Sequence, residues 1–245
     1  MNIYKPDATE NGHCMYCNQL LRRDSGSSLR SCLFCESEKE TTSICPTGHF
    51  ICTDCYSLSA CDAIEQHCTA TRERDPARIA DMLLRHPSIR MHGNEYHYLV
   101  PAALLASYFN SSDTAEEKLQ HLLDTRIMAE NHTEGLCCSD GDCGAAVGAG
   151  IFFTVLVKGT MFDEYHRQWS SRASERSLQR IDSYGVSRCC KRDTFLAIEE
   201  AVRFLRETQA VRLVASERQQ CGFSGLHQEC LSSACPFYNS SGVTV

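Results

Sequence analysis

Leu136-Cys137-Cys138-Ser139-Asp140-Gly141-Asp142-Cys143-Gly144-Ala145-Ala146-Val147-Gly148-Ala149-Gly150 is the stretch whose reading decides the fold. Three cysteines stand at its entrance, and a run of small residues leads from them into the apolar segment Ile151–Val157. Acid, glycine and thiol followed by such a run read as a helix N-terminus and a helix too lean in polar side chains to face water. Glycine inside a helix costs roughly 1 kcal/mol relative to alanine, so Gly144, Gly148 and Gly150 imply that packing demands small residues. A central buried helix is therefore expected, with Asp140 or Asp142 as its cap. That accounts for the glycines but not for Cys137, Cys138 and Cys143. A thiol at a helix N-terminus is shifted toward the metal-binding thiolate by the helix dipole. The stretch is read as one wall of a metal centre.

The other wall is expected at Ser187-Arg188-Cys189-Cys190-Lys191-Arg192-Asp193-Thr194, which opens a second helix with the apolar stripe Phe195, Ile198, Val202 and Leu205. Arg188, Lys191 and Arg192 would lower the pKa of the neighbouring thiols, and Arg188 and Arg192 would hold an anionic substrate. Two helix entrances from distant points of the chain would assemble one site, with Cys137, Cys138, Cys143, Cys189 and Cys190 as its candidate ligands. Met91-His92-Gly93-Asn94-Glu95-Tyr96-His97 precedes an apolar helix from Ala102 to Phe109 and offers His92, Glu95 and His97 as catalytic bases. Further helices are expected after Asp75-Pro76, from Thr114 with Leu119, Leu122, Leu123 and Ile127 facing inward, and over 173–184, stopped by Gly185.

The remaining signal is N-terminal. Cys14-x2-Cys17, Cys32-x2-Cys35 and Cys45-x3-His49-x2-Cys52-x2-Cys55 have the spacing with which paired thiolates reach one tetrahedral ion. One or two zinc ions are expected. Sequential pairing, Cys14/Cys17/Cys32/Cys35 and Cys45/His49/Cys52/Cys55, is preferred over a RING-like interleaved one that would draw in Cys61 and Cys68. Cys221, Cys230 and Cys235-Pro236 in the tail could supply a last ligand or a third zinc site.

Residues 69–136 hold none of the 17 cysteines, which separates two metal-binding regions. The expected fold is mainly α: a zinc-ribbon or treble-clef-like module with short β-hairpins over residues 1–60, then a helical Cys-rich domain over 61–245. A net charge of −7 argues against nucleic acid, which needs clustered cations. The apolar run from Ala145 to Val157 is short of the roughly 20 residues needed to span a bilayer. With no apolar leader at Met1–Asp7 and so many thiols, a reducing, cytoplasmic setting is expected, with metal or redox chemistry rather than disulfides.

The knuckles, Met91-His92-Gly93-x-Glu95-x-His97, Cys137-Cys138-x-Asp140-Gly141-Asp142-Cys143-Gly144-Ala145-Ala146 and Arg188-Cys189-Cys190-Lys191-Arg192-Asp193 together resemble a prokaryotic domain-of-unknown-function family whose members also occur attached to radical-SAM enzymes. Cys143-Gly144-Ala145-Ala146-Val147-Gly148 with Cys189-Cys190-Lys191-Arg192-Asp193 is similar to the catalytic subunit of iron–sulfur L-serine dehydratases. That second resemblance implies a 4Fe-4S cluster on Cys143 and Cys189. Those enzymes carry a third cysteine ligand between the two, and this chain has none there. They also bind substrate through a Ser-Ser-His-Thr stretch absent here. The expected function is an iron–sulfur lyase or sulfur-transfer enzyme on a small substrate. The alternative is a non-catalytic zinc-binding accessory or redox-sensing domain for a partner enzyme. Expected partners are accordingly a small molecule or an enzyme, with a homodimer as the expected self-association.

Overall fold

The computed structural model describes residues 12–14, 16–17, 19–112, 114–132, 143–157, 164–185, 188–209, 213–214 and 219–239. Cys137, Cys138, Asp140 and Asp142 lie outside them. The chain is mainly helical, with one two-stranded antiparallel hairpin near the N-terminus, as the sequence predicts. Among the described residues no helix is long and apolar enough to cross a membrane.

The hairpin joins β1 (Arg22–Ser31) to β2 (Glu38–Ile44), with Arg22 opposite Ile44 and Ser31 opposite Glu38. A bulge falls between Arg23 and Ser28, and Thr41 alone of the two strands is buried. A ribbon with so little to bury contributes position rather than core: it carries Cys32–Cys35 at its turn and returns Cys45 to the level of Cys17.

The helices follow in order. α1 (Thr53–Tyr56) is a single turn. α2 (Ala60–Ala70) is capped by the Ser59 hydroxyl accepting from Asp62 N, and α3 (Pro76–Leu84) by the Asp75 carboxylate accepting from Ala77 N, with proline at the first helical position. α4 (Tyr96–Asn110) starts six residues before the expected Ala102 and so takes His97 into its first turn. A short 3-10 turn leads into α5 (Lys118–His132). α6 (Gly144–Val157), α7 (Glu164–Asp182) and α8 (Cys190–Gln209) complete the bundle, and Gly185, at φ +84°, ends the chain's run out of α7.

α4 is buried on nearly every side, as its uniformly apolar composition requires. α6 lies against it with the closeness its glycines predict. A Cβ on Gly144 would stand 2.9 Å from the His97 ring, and one on Gly148 would stand 2.9 Å from Pro101 Cδ and 3.2 Å from the Tyr96 carbonyl. Gly150 faces α7 instead, with a virtual Cβ 2.9 Å from the Ser170 carbonyl, while its own carbonyl accepts from Ser170 Oγ at 2.9 Å. In α8 the predicted stripe of Phe195, Ile198, Val202 and Leu205 is buried.

α5 departs from expectation. Leu119 and Ile127 are 47% and 59% exposed, and the helix buries Lys118, Leu122, Thr125 and Ala129. The face is set by polar groups that find partners: Lys118 Nζ donates to the Thr71 carbonyl at 3.1 Å and to Asn110 Oδ1 at 2.9 Å. Thr125 Oγ1 donates back to the His121 carbonyl.

Candidate metal centres and a thiol-lined cavity

Two groups of donors stand within 4.8 Å of one another: Cys14, Cys17, Cys45 and His49, and Cys32, Cys35, Cys52 and Cys55. All eight predicted donors fall in these two groups, but the grouping is interleaved rather than the preferred sequential one. Cys61 and Cys68 join neither group. The reason is the hairpin. At about 3.3 Å per residue, β1 holds Cys17 away from Cys32, whereas antiparallel return brings Cys45 alongside Cys17, their sulfurs 3.5 Å apart.

In the first group the Cys14–Cys17 turn is closed by Cys14 N donating to the Gln19 carbonyl and Leu21 N to that of Gly12. Cys45 Sγ lies 3.6 Å from His49 Nδ1, and the Thr47 hydroxyl contacts Cys45 Sγ, Cys17 Sγ and His49 Nδ1 at 3.0, 3.2 and 2.9 Å. Burial pushes the Cys14 thiol up to about 12. Burial acts the same way on Cys45, but hydrogen bonds from the Thr47 hydroxyl and N–H and the His49 N–H bring it down to about 6. In the second group Cys32 Sγ accepts from Phe34 N and Cys52 N, both at 3.4 Å, and Cys35 and Cys52 sulfurs are 3.9 Å apart. Burial opposes ionisation of Cys35 as well, and the Ser37 hydroxyl and N–H outweigh it to give about 7. Four thiolates, or three with an imidazole, at this closeness could hold a metal ion tetrahedrally, with no position left open.

Each first knuckle also carries an aromatic residue that ties it to the helices. Phe34 is fully buried between the rings of His67 and His86, at centroid distances of 5.1 and 4.8 Å. His86 Nε2 bonds the Cys55 carbonyl at 2.9 Å. Tyr16, in the other knuckle, lies under Arg85, whose guanidinium donates to the Tyr16 carbonyl at 2.7 Å and pairs with Asp81 at 3.0 Å. The same guanidinium lies 5.6 Å from the Phe223 ring, so α3 grips the first knuckle and the C-terminal tail together.

Cys143 and Cys189 are the N-cap residues of α6 and α8, their carbonyls accepting from Val147 N and Asp193 N at 2.9 Å. Cys189 Sγ accepts from Arg192 N at 3.4 Å, as a capping side chain does. Cys189 turns toward the tail, where it lines a narrow cavity with Cys221, Cys230, Cys235, His227 and Phe223. Cys190, the first residue of α8, does not line that cavity, and its sulfur stands 3.5 Å from His92 Nδ1. The His92 ring is exposed and meets that of His227 edge-on at 5.2 Å.

The flanking charges behave differently from expectation. Lys191 is buried and donates to the Leu84 and Ile89 carbonyls at 2.9 and 3.3 Å, anchoring the α8 entrance on the C-terminus of α3. Arg192 is buried against Asp193 at 2.9 Å. With both cations engaged by other partners, burial dominates and pushes the Cys189 thiol up to about 11. Arg188 is exposed, its N–H donating to Glu229 Oε2 at 3.4 Å. Glu95 is buried and holds Arg90 by backbone N–H and guanidinium, with Gly93 folded against its carboxylate. His97 packs on Gly144, its Nδ1 3.0 Å from the Asn94 carbonyl. Of the predicted bases, then, His92 alone stands at the surface beside a thiol. Cys221, Cys230 and Cys235, expected as a last ligand or a third zinc site, meet at this cavity, and His227, which the sequence did not single out, joins them. Their sequence signal is the repeated Cys-x-Phe of Cys221-Gly222-Phe223 and Cys235-Pro236-Phe237, the same step as Cys32-Leu33-Phe34.

No curated protein and no solved structure matches this chain. One family model does, over residues 64–238, a span that begins inside α2, takes in the α8 entrance and all three tail cysteines, and leaves out the eight knuckle ligands. The chain belongs to DUF5714, a family of unknown function.

Proposed function

We propose that this chain is a sulfur-handling metalloenzyme. Zinc fills the two N-terminal centres as structural ions, an iron–sulfur cluster sits at the α8 entrance, and sulfur is moved between small molecules beside it. The observation that carries the reading is the Cys190–His92 pair, 3.5 Å apart at the first residue of α8. A thiol at a helix N-terminus against an imidazole is the arrangement of an activated cysteine nucleophile. The closed N-terminal sites suit zinc and leave no position for chemistry.

The step is a transfer without net redox change. The Cys190 sulfur attacks the outer sulfur of a small persulfide R–S–SH, and the S–S bond of the donor breaks. Cys190–S–SH and R–SH result, with His92 carrying the thiol proton to the departing sulfur. Arg188, exposed at the same helix entrance, would contribute positive charge toward an anionic donor. A second reading, a non-catalytic metal-binding accessory domain, is favoured by Glu95, His97, Lys191 and Arg192 all being built into the scaffold.

Anaerobic purification with iron, acid-labile sulfide and zinc analysis, followed by incubation with inorganic polysulfide and mass spectrometry, tests the proposal. The expected result is iron and sulfide beside zinc, and one added sulfur on Cys190 that falls at least tenfold in His92→Ala. Zinc alone, with Cys190 unmodified, would leave the accessory reading standing.

A further inference from the structure

We infer that Cys189, Cys221, Cys230 and Cys235 are the protein ligands of an iron–sulfur cluster enclosed between the α8 N-terminus and the C-terminal tail. The assignment rests on the preceding reading that iron is present, and it replaces the Cys143–Cys189 ligand pair expected from sequence.

The tail has little reason to fold otherwise. Residues 219–239 contain two 3-10 turns and a single bridge, Cys221 to Tyr238, and no longer element. Yet three of its thiols converge with Cys189 on one cavity. A segment with so small a core needs a staple. The thiols are aimed by backbone amides: Phe223 N donates to Cys221 Sγ at 3.3 Å, Ser232 N to Cys230 Sγ at 3.4 Å and Arg192 N to Cys189 Sγ at 3.4 Å. The first two repeat the two-residue step by which Phe34 N serves Cys32 in the N-terminal site. Cys235 receives the Phe237 N–H in the same way.

Spacing distinguishes a cluster from a lone ion. Zinc–sulfur bonds of about 2.3 Å place tetrahedral thiolates about 3.8 Å apart. Both N-terminal groups have drawn in to within 4.8 Å, and among the described residues the tail thiols form no such group although they share one cavity. A wider set with one thiolate for each iron is the cluster arrangement. The apolar shell, Phe195, Phe223 and Phe237, fits it as well.

His227 supplies an independent sign. The residue is 8% exposed, and Nδ1 accepts from Glu229 N at 3.0 Å, so Nε2 is the ring nitrogen that bears a proton. That nitrogen is buried without a hydrogen-bond partner, in a residue that lines the cavity. A cluster sulfur is the acceptor it lacks.

The test uses the full chain, purified and reconstituted anaerobically with ferrous iron and sulfide. Cys221→Ser, Cys230→Ser and Cys235→Ser are each expected to lose at least half of the bound iron and the visible absorption, while two zinc ions per chain remain. Alkylation needs no variant: Cys189, Cys221, Cys230 and Cys235 should be protected while iron is bound and modified after its chelation. Retention of the cluster in all three serine variants, or alkylation of these thiols with iron still bound, overturns the ligand assignment and leaves the presence of iron intact. Wild-type protein without iron or sulfide overturns the proposed function as well. So does a third zinc ion that disappears in Cys221→Ser.

Discussion

Replacing Phe34 by alanine should loosen the Cys32–Cys55 donor group from the helices without removing a donor. The ring is fully buried, wedged between His67 and His86, and its own N–H serves Cys32 Sγ, a bond that alanine keeps. Truncating a buried phenylalanine costs about 3–5 kcal/mol, because the cavity left behind closes only in part. In a chain of this length 1 kcal/mol moves the melting temperature by about 2–4 °C, so a fall of about 6–20 °C is expected. Differential scanning calorimetry at saturating zinc reads the loss, and metal analysis reads the sites. Tyr16→Ala is the control. It occupies the matching position of the other knuckle but is only half-buried, and the Arg85 bond goes to its backbone carbonyl. It should cost clearly less. A loss below about 1 kcal/mol for Phe34→Ala, or one no larger than that of Tyr16→Ala, would refute the claim that the second site is seated on the helical core through this ring.

Two further outcomes follow from the pairing and the packing. Cys14→Ser and Cys45→Ser should each lose one zinc ion, and the double variant the same ion only, whereas Cys14→Ser with Cys32→Ser should lose both, as read by zinc content. Sequential sharing would give the opposite. Gly148→Ala gains roughly 1 kcal/mol of helix propensity but drives a methyl onto Pro101 and the Tyr96 carbonyl. Overpacking of that kind costs typically 1–3 kcal/mol, so urea denaturation should show no stabilisation and a net loss of up to about 2 kcal/mol.

How much of this was legible in sequence depends on what each residue type announces. The α8 stripe was visible because Phe195, Ile198, Val202 and Leu205 are apolar at helical spacing and are buried as such. The glycines of α6 announced a close approach, and α4 and α7 provide it. The buried face of α5 was hidden because Lys118 and Thr125 look like solvent residues until Thr71, Asn110 and His121 are placed beside them. Knuckle spacing singled out the eight donors that gather in two groups but not how they group, since spacing says which residues turn together and only the hairpin register says which turns meet. At the α8 entrance the charges of Lys191 and Arg192 read as substrate or thiolate partners. Lys191 is instead anchored by the distant Leu84 and Ile89 carbonyls, and Arg192 pairs with the adjacent Asp193.

The interleaved arrangement also bears on the continuity of the backbone. A break between Cys17 and Cys32 leaves two pieces joined through Cys14, Cys17, Cys45 and His49, and one between His49 and Cys52 leaves them joined through the Cys32–Cys55 group. A break between Cys35 and Cys45 leaves both bridges standing. With metal bound, a chain nicked anywhere from 18 to 51 therefore stays one particle and comes apart only when a chelator is added. The exposed ribbon of β1 and β2 can be cut, or lengthened, without costing the protein its N-terminus.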